Sequence, residues 1–222
     1  AHVGHGHEIE VVEVLLVADL ACEREHHLRV GDVLVLGGPG HEQVVAHEAD
    51  YYFAAGDMVN RSRGLDRAGE ILHRRAERMY VLPGNHESED GIIEMCRRYG
   101  LNNFHGKGFE AGGYRIAGLG YSNPTPFNTP GEYSESELAR RLSTFAGWER
   151  LVLVCHCPPK GTALDRAGPG MHLGSQSVRD FIDQQQPELF FCGHIHEAHG
   201  AMEQIGRTRA WNVGKKGCLV EL

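Results

Sequence analysis

The sequence predicts an α/β layered fold, and three observations carry that expectation. Short runs rich in Val, Leu, Ile, Tyr and Phe alternate along the chain with longer stretches of helical character, the pattern of strands interleaved with helices. A length of 222 residues with 41% apolar content supplies one sizeable core. The 29 glycines, roughly twice the average share of about 7%, show neither a three-residue period nor a heavy proline load, so they mark tight turns.

Taken in order, residues 1–10, with His2, His5 and His7, read as a flexible or processed His-rich start and are set aside from fold reasoning. Residues 11–222 then form a single domain. Strands are predicted at 11–18 (VVEVLLVA), 51–55 (YYFAA), 80–82 (YVL), 114–119 (YRIAGL), 151–155 (LVLVC) and 189–192 (LFFC). Helices are predicted at 41–49, 63–78, 91–99, 134–146 and 174–186, the last opening on Ser175, whose hydroxyl suits an N-cap. The segment 28–38 (LRVGDVLVLGG) reads equally as an extra hairpin or a strand of its own. Gly112-Gly113 within 108–119 predicts a hairpin, and Gly200, Gly206, Gly214 and Gly217 divide 198–222 into short β-like pieces. Parallel and antiparallel pairing are therefore both expected.

Composition excludes several classes. With 30 acidic and 22 basic residues, the net charge is −8, against a protein built to coat duplex nucleic acid or an anionic membrane, since both need a basic face. No run approaches the ~18 apolar residues of a membrane span. The six cysteines (22, 96, 155, 157, 192, 218) are scattered, some inside apolar runs, which fits a reducing cytoplasm better than an extracellular disulfide framework. The unusual count is 15 histidines, and where they fall matters most.

The chemistry collects at the ends of the apolar runs. LLVA is followed by Asp19, YYFAAG by Asp57, YVLPG by Asn85-His86-Glu87, LVLVC by His156, and LFFCG by His194-Ile195-His196. In an open α/β sheet, ligands bind at the carboxyl ends of strands, where loops converge on one rim. A single Asp after a strand is usually a helix cap, but five such endings point to a shared site. Two Asp, one Asn and three His offer oxygen and imidazole donors suited to two divalent ions such as Mn, Fe, Ni, Co or Zn. Two ions ~3.5–4 Å apart clamp a phosphate and acidify a shared water. That chemistry is phosphoester hydrolysis.

These residues resemble the calcineurin-like metallophosphoesterases, whose marks are D-x-H, G-D, G-N-H-[DE], a lone His after a strand, and G-H-x-H. Here they stand as Asp19-Leu20-Ala21, Gly56-Asp57, Gly84-Asn85-His86-Glu87, His156 and Gly193-His194-Ile195-His196, in the family's order. SNPTPFNTP at 122–130, HCPP at 156–159 and GHIHEAHG at 193–200 further resemble a small uncapped branch, the predicted phosphoesterases related to class III cyclic-nucleotide phosphodiesterases. The resemblance implies a four-layer α/β/β/α sandwich of two mixed β-sheets flanked by helices. It also implies that Asp57 bridges two divalent ions, that Asp19 and His196 hold the first, and that Asn85, His156 and His194 hold the second. His86 then protonates the leaving group or stabilises phosphoryl charge. The implied substrate is a small phosphodiester or phosphomonoester.

One position departs from the pattern. Where the family carries its first-motif His, this chain has Ala21, which has no donor atom. The replacement candidates are Cys22, His26, His27 and the His-rich start, and the expectation is a weak or vacant first site. This departure supports a rival reading, a scaffold or binding protein that keeps the fold without catalysis. A nuclease would need a basic track, whereas Arg61, Arg63, Arg67, Arg74, Arg75 and Arg78 read as the solvated face of a helix. Lesser candidates for substrate contact are Asn123 and Thr125, in the Pro-rich loop after 114–119, and His172, ahead of a helix start that suits an anion. Each has a bland alternative in a rigid turn or an exposed loop histidine. Glu87 either orients His86 or is solvated, and Cys155 and Cys192 read as packed, inert thiols.

Overall fold

The computed structural model describes residues 13–17, 49–61, 63–214 and 217–222. The expectations for 1–10, 28–38 and 41–48 lie outside the described residues, as do Asp19, Ala21, Cys22, His26 and His27.

Two mixed sheets form. The first has the order β13 (Cys218–Glu221), β1 (Glu13–Val17), β2 (Tyr51–Ala55), β3 (Met79–Leu82), β4 (Asn102–Asn103), with β13 antiparallel to β1 and the other pairs parallel. The second runs β11 (Met202–Ile205), β12 (Thr208–Asn212), β10 (Leu189–Cys192), β7 (Leu151–Cys155), β6 (Tyr114–Leu119), β5 (Lys107–Ala111). Its four inner strands are parallel, and β11 and β5 close the edges antiparallel.

Side chains explain why the sheets stack. Successive residues of a strand point to opposite faces. Along β2, Tyr52 and Ala54 join one apolar cluster while Phe53 and Ala55 join another. Along β7, Leu151, Leu153 and Cys155 face one way and Val152 and Val154 the other. Both faces of each central strand are thus covered, which is why those runs are continuously apolar. Phe53, Leu82, Phe104, Ile116, Val152 and Phe191 pack between the sheets. Side chains of this size contribute ~1.5–3 kcal/mol each when buried.

Helices form the outer layers. On the first sheet, α1 (Leu65–Leu72) and α2 (Glu89–Tyr99) bury Leu72, Ile92 and Met95 against Tyr52 and Met79. On the second, α3 (Glu135–Leu142) and α4 (Gln176–Gln185) bury Leu138, Leu142, Val178 and Ile182 against Leu153 and Phe190. Ser88, Ser134 and Ser175 cap α2, α3 and α4 by accepting from the backbone N–H of Gly91, Glu137 and Val178 at 3.3, 3.2 and 3.2 Å. The architecture is the four-layer α/β/β/α sandwich.

Boundaries differ in informative ways. The helix expected over 63–78 ends at Leu72 and tightens into a 3₁₀ segment, His73–Arg78, in which no side chain is buried and Arg75 leaves helical geometry (φ −125°). Without an apolar stripe, nothing holds that stretch to the α-helical period. The helix expected over 134–146 likewise ends at Leu142 and continues as a 3₁₀ turn, Ser143–Phe145. A small hairpin of β8 (Arg166–Gly168) and β9 (Met171–His172) had no apolar run to announce it.

Candidate metal centre

The parallel strands β2, β3, β7 and β10 bring their carboxyl ends to one rim, two from each sheet. Directly after β2 come Gly56 and Asp57, both in the left-handed region at φ 93° and 53°. β3 leads into Pro83-Gly84-Asn85-His86-Glu87, β7 ends immediately before His156, and β10 leads through Gly193 to His194, also left-handed at φ 67°. A non-glycine residue in that region is uncommon, and here two of them present donor groups to the same point.

Glycine makes the close approach of the β2 and β3 loops possible. A Cβ on Gly56 would lie 2.5 Å from His156 Nδ1, and one on Gly84 would lie 2.1 Å from Asp57 Oδ1. Glu87 then ties the two loops together. It is fully buried, and its carboxylate accepts from the backbone N–H of Asp57 (2.9 Å), Val59 (3.0 Å) and Gly84 (2.6 Å). Of the two sequence alternatives for Glu87, solvation is therefore excluded, and what it orients is the backbone carrying Asp57 and Asn85. Burial and the charge of Asp57 push its carboxyl up to about 8, against the pull of the N–H donors.

Between the sheets, His156 Nδ1 lies 2.8 Å from the Ala55 carbonyl. A carbonyl only accepts, so Nδ1 carries the proton and Nε2 turns to the rim. There Nε2 lies 3.4 Å from Asp57 Oδ2 and 3.3 Å from Asn85 Oδ1. His194 Nδ1 lies 2.9 Å from Asn85 Oδ1. Asp57 Oδ1 accepts from the backbone N–H of His86 at 3.1 Å, which places the half-buried His86 beside the carboxylate.

The charges of these groups are interlocked. Burial raises the Asp57 carboxyl, but His156, His194 and His86 outweigh it and hold the group well below the usual carboxylate range. Burial lowers the His156 imidazole, yet Asp57 outweighs that and lifts it to about 9. His194 is pushed down to about 3 by burial and the charge of His156, so its ring keeps one nitrogen lone pair free at neutral pH. A proton shared between Asp57 and His156 balances a carboxylate that would otherwise be buried alone. A divalent cation provides the same balance with more bonds.

The residues fit such a cation. Among the described residues, Asp57, His156 and His194 offer ligand atoms that all lie within 4.8 Å of one another, and Asn85 Oδ1 adds a fourth. Carboxylate, amide oxygen and two imidazoles form a hard-to-borderline donor set that suits divalent first-row metals. His196 is exposed at the start of a 3₁₀ turn, His196–Ala198, and lies outside that group.

The other candidates are placed as follows. Asn123 Oδ1 lies 3.1 Å from Cys157 Sγ, next to His156, and its Nδ2 donates to the Leu173 carbonyl at 3.3 Å. The Thr125 hydroxyl donates to Glu132 Oε1 at 2.6 Å. His172 Nδ1 lies 2.6 Å from a carboxylate oxygen of the buried Asp165. The arginines at 61, 63, 67, 74 and 78 are exposed, as a solvated face should be, whereas Arg75 is half-buried, its guanidinium 5.4 Å from the centre of the Tyr52 ring. Cys155 and Cys192 are fully buried, and burial raises their thiols.

Sequence reasoning overlooked Asn212. Fully buried, it shares the two hydrogens of Nδ2 among the carbonyls of Leu164, Gly193 and Ile195, which lie at 2.9, 3.2 and 3.0 Å, pinning the turn that presents His194. Its only sequence mark is its place at the end of the short β-like piece TRAWN.

A two-sheet sandwich thus brings carboxylate, amide and imidazole donors together on its strand-end rim, a set that a divalent metal fits. Residues 13–198 match the model of the calcineurin-like phosphoesterase family, and the chain belongs to that family. It is 31% identical over 182 residues to the uncharacterized protein MJ1162 of Methanocaldococcus jannaschii, covering 78% of this chain and 80% of that protein. Its fold is similar to that of a phosphopantetheinyl hydrolase, PptH, from Mycobacterium tuberculosis, with TM-score 0.61, 14% identity, and 90% and 88% of the two chains covered. It is also similar to a dimetal phosphatase from Danio rerio, with TM-score 0.59, 13% identity, and 95% and 92% covered. At these identities the two structural likenesses concern the fold. No described helix is long and apolar enough to cross a membrane.

Proposed function

We propose that residues 11–222 are one metal-dependent phosphoesterase domain that hydrolyses a small phosphodiester or phosphomonoester at the strand-end rim. The observation that carries this reading is the convergence of Asp57, Asn85, His156 and His194 from two different sheets. Isolated structural carboxylates and histidines have no need of such a meeting. The dimetal phosphatase and hydrolase of like fold support the same reaction class.

In this reading Asp57, Asn85, His156 and His194 would hold one divalent ion, and Asp57 with Asp19 and His196 would hold a second. Divalent ions bound there supply a clamp for the phosphate and acidify the attacking water. The chain's own residues do the rest. Glu87 keeps Asp57 and Asn85 in register, and His156 is oriented by the Ala55 carbonyl. His86, fixed beside Asp57 through its backbone N–H, donates a proton to the leaving oxygen or stabilises phosphoryl charge. Asn123, Thr125 and His172 are the proposed substrate contacts. Buried Cys96, Cys155, Cys157 and Cys192, none in a disulfide, support a reducing compartment, the cytoplasm.

A second reading, a scaffold that keeps the fold, is favoured by one observation: Ala21 offers no donor. One experiment separates the readings. Metal content per chain is measured alongside hydrolysis of bis- and mono-nitrophenyl phosphate with Mn, Ni, Co, Zn and Mg, for wild type, Asp57→Ala and His86→Ala. The enzyme reading expects turnover that Asp57→Ala abolishes and His86→Ala cuts by roughly 10²–10⁴ with metal content retained. Absence of turnover with every metal establishes the scaffold reading.

A further inference from the structure

An asparagine amide is nearly symmetric in shape, so which end faces a metal is decided by hydrogen bonds alone. Asn85 stands at that choice. Inward of it lie His194 Nδ1 and the two Asp57 carboxylate oxygens, and an inward-facing Nδ2 would reach them at 2.9, 3.3 and 3.1 Å. Without a cation, this acceptor-rich side alone favours the amide nitrogen pointing in, an orientation that cannot ligate a metal.

The outer side opposes that choice. There Asn85 meets Thr129 Oγ1 at 3.1 Å. A hydroxyl has one hydrogen, and Thr129 spends its own on Glu132 Oε1 at 2.6 Å, a short charge-assisted bond. Glu132 is held in place to receive it: the same Oε1 accepts the Thr129 backbone N–H at 2.8 Å and the Thr125 hydroxyl at 2.6 Å. Thr125 Oγ1 in turn accepts from the Phe127 N–H at 3.2 Å. With its hydrogen committed outward, the Thr129 hydroxyl can only accept from Asn85, and it therefore takes Nδ2. Turning the amide would set Oδ1 against an oxygen with no hydrogen between them. The loop is also clamped to this residue through its backbone, since the Gly131 N–H donates to the Asn85 carbonyl at 2.9 Å.

We propose that Glu132, acting through the Thr129 hydroxyl, is a positioning residue that turns the Asn85 carboxamide so that Oδ1 faces the metal-binding cluster. This inference rests on the metal-centre reading above and deepens it. It gives the Pro-rich loop 122–132 a function at the metal, beyond any contact with substrate, and it assigns Thr125 to the support of Glu132.

The test is Mn²⁺ affinity by titration calorimetry on the chelator-treated full chain, with thermal unfolding as the control for folding. Thr129→Val removes the hydroxyl at nearly constant volume and is expected to weaken Mn²⁺ binding about 10–100-fold, the usual cost of losing an outer partner of a ligand. Thr129→Ser restores the hydroxyl and is expected to restore the affinity. Glu132→Leu, the second variant, frees the Thr129 hydrogen to donate to Asn85 Oδ1, so affinity falls by a similar factor although Thr129 is intact. In an Asn85→Ala background, Thr129→Val should have no further effect, because no amide remains to be turned. Wild-type Mn²⁺ affinity in folded Thr129→Val or Glu132→Leu, or a full additional loss in the Asn85→Ala background, overturns the proposal. Asp57→Ala separates the two levels. If it abolishes Mn²⁺ binding while Thr129→Val and Glu132→Leu leave it unchanged, only the relay fails; if it too leaves binding unchanged, the metal-centre reading fails.

Discussion

Gly84→Ala adds a single methyl group at the point where the β2 and β3 loops meet. Gly84 does not occupy the left-handed region, so alanine can adopt its backbone conformation and the effect is one of space alone. The added Cβ would lie 2.1 Å from Asp57 Oδ1, 2.3 Å from Asp57 N and 2.7 Å from Asp57 Cγ, where real contacts stay beyond 3.0 Å. Relief therefore needs a displacement of about 0.9 Å (3.0 − 2.1). The backbone nitrogen is held by Glu87 at 2.9 Å, so it cannot drift freely. Metal–ligand distances tolerate only ~0.2 Å, which makes the shift far too large for Asp57 to keep its place as a ligand. Overpacking of this kind costs about 1–3 kcal/mol, and for a domain of this size each kcal/mol lowers Tm by about 2–4 °C. Gly84→Ala should thus remain folded, melt about 2–12 °C lower and lose stoichiometric Mn²⁺ binding. Gly168→Ala is the control, because its Cβ would meet nothing nearer than 4.0 Å. Wild-type Mn²⁺ affinity with an unchanged Tm in Gly84→Ala would refute the argument that the missing side chain seats Asp57.

Two further predictions concern stability. Glu87→Ala leaves the N–H groups of Asp57, Val59 and Gly84 buried without their acceptor. At ~1–3 kcal/mol each, the loss is at least about 3 kcal/mol, and urea unfolding showing under 1 kcal/mol would contradict the role assigned to Glu87. His105 accepts from the Gly120 N–H at 2.9 Å through Nδ1, and burial, with Arg141 and Lys107, lowers its imidazole to about 4. Between pH 4 and the unfolded value of 6.5, the unfolded chain binds the extra proton, so this group's contribution is complete above pH 6.5 and is lost as pH falls toward 4. The difference of 2.5 units corresponds to about 3 kcal/mol. His105→Gln should show a shallower fall in Tm over that window, and an identical pH slope would remove His105 as the cause.

Much of this molecule is written locally. Runs such as LVLVC and LFFC state their strands because a chain buried on both faces must be apolar at every position. Ser175 announces its helix because its hydroxyl satisfies a backbone N–H that the helix itself cannot. The donor residues were legible for a similar reason: each closes an apolar run, and the end of a strand is where a side chain can meet the rim. By itself, then, the sequence determined the α/β alternation and the Ser175 cap, and it placed metal-capable side chains at the ends of the apolar runs.

Tertiary structure decided how these parts meet. No local pattern says that Phe53 and Val152 face each other across two sheets, since a continuously apolar strand does not reveal which of its faces packs on a helix. The burial of Glu87 was equally hidden, because a carboxylate is kept in the interior only by backbone N–H groups supplied from elsewhere in the chain. The amide of Asn85 is set by Glu132 through Thr129 from the loop that follows β6, and the turn carrying His194 is pinned by Asn212 at the end of another strand. Propensity and patterning act over a few residues, whereas the orientation of a ligand depends on hydrogen bonds between residues distant in the chain, and these exist only once the two sheets have closed on each other.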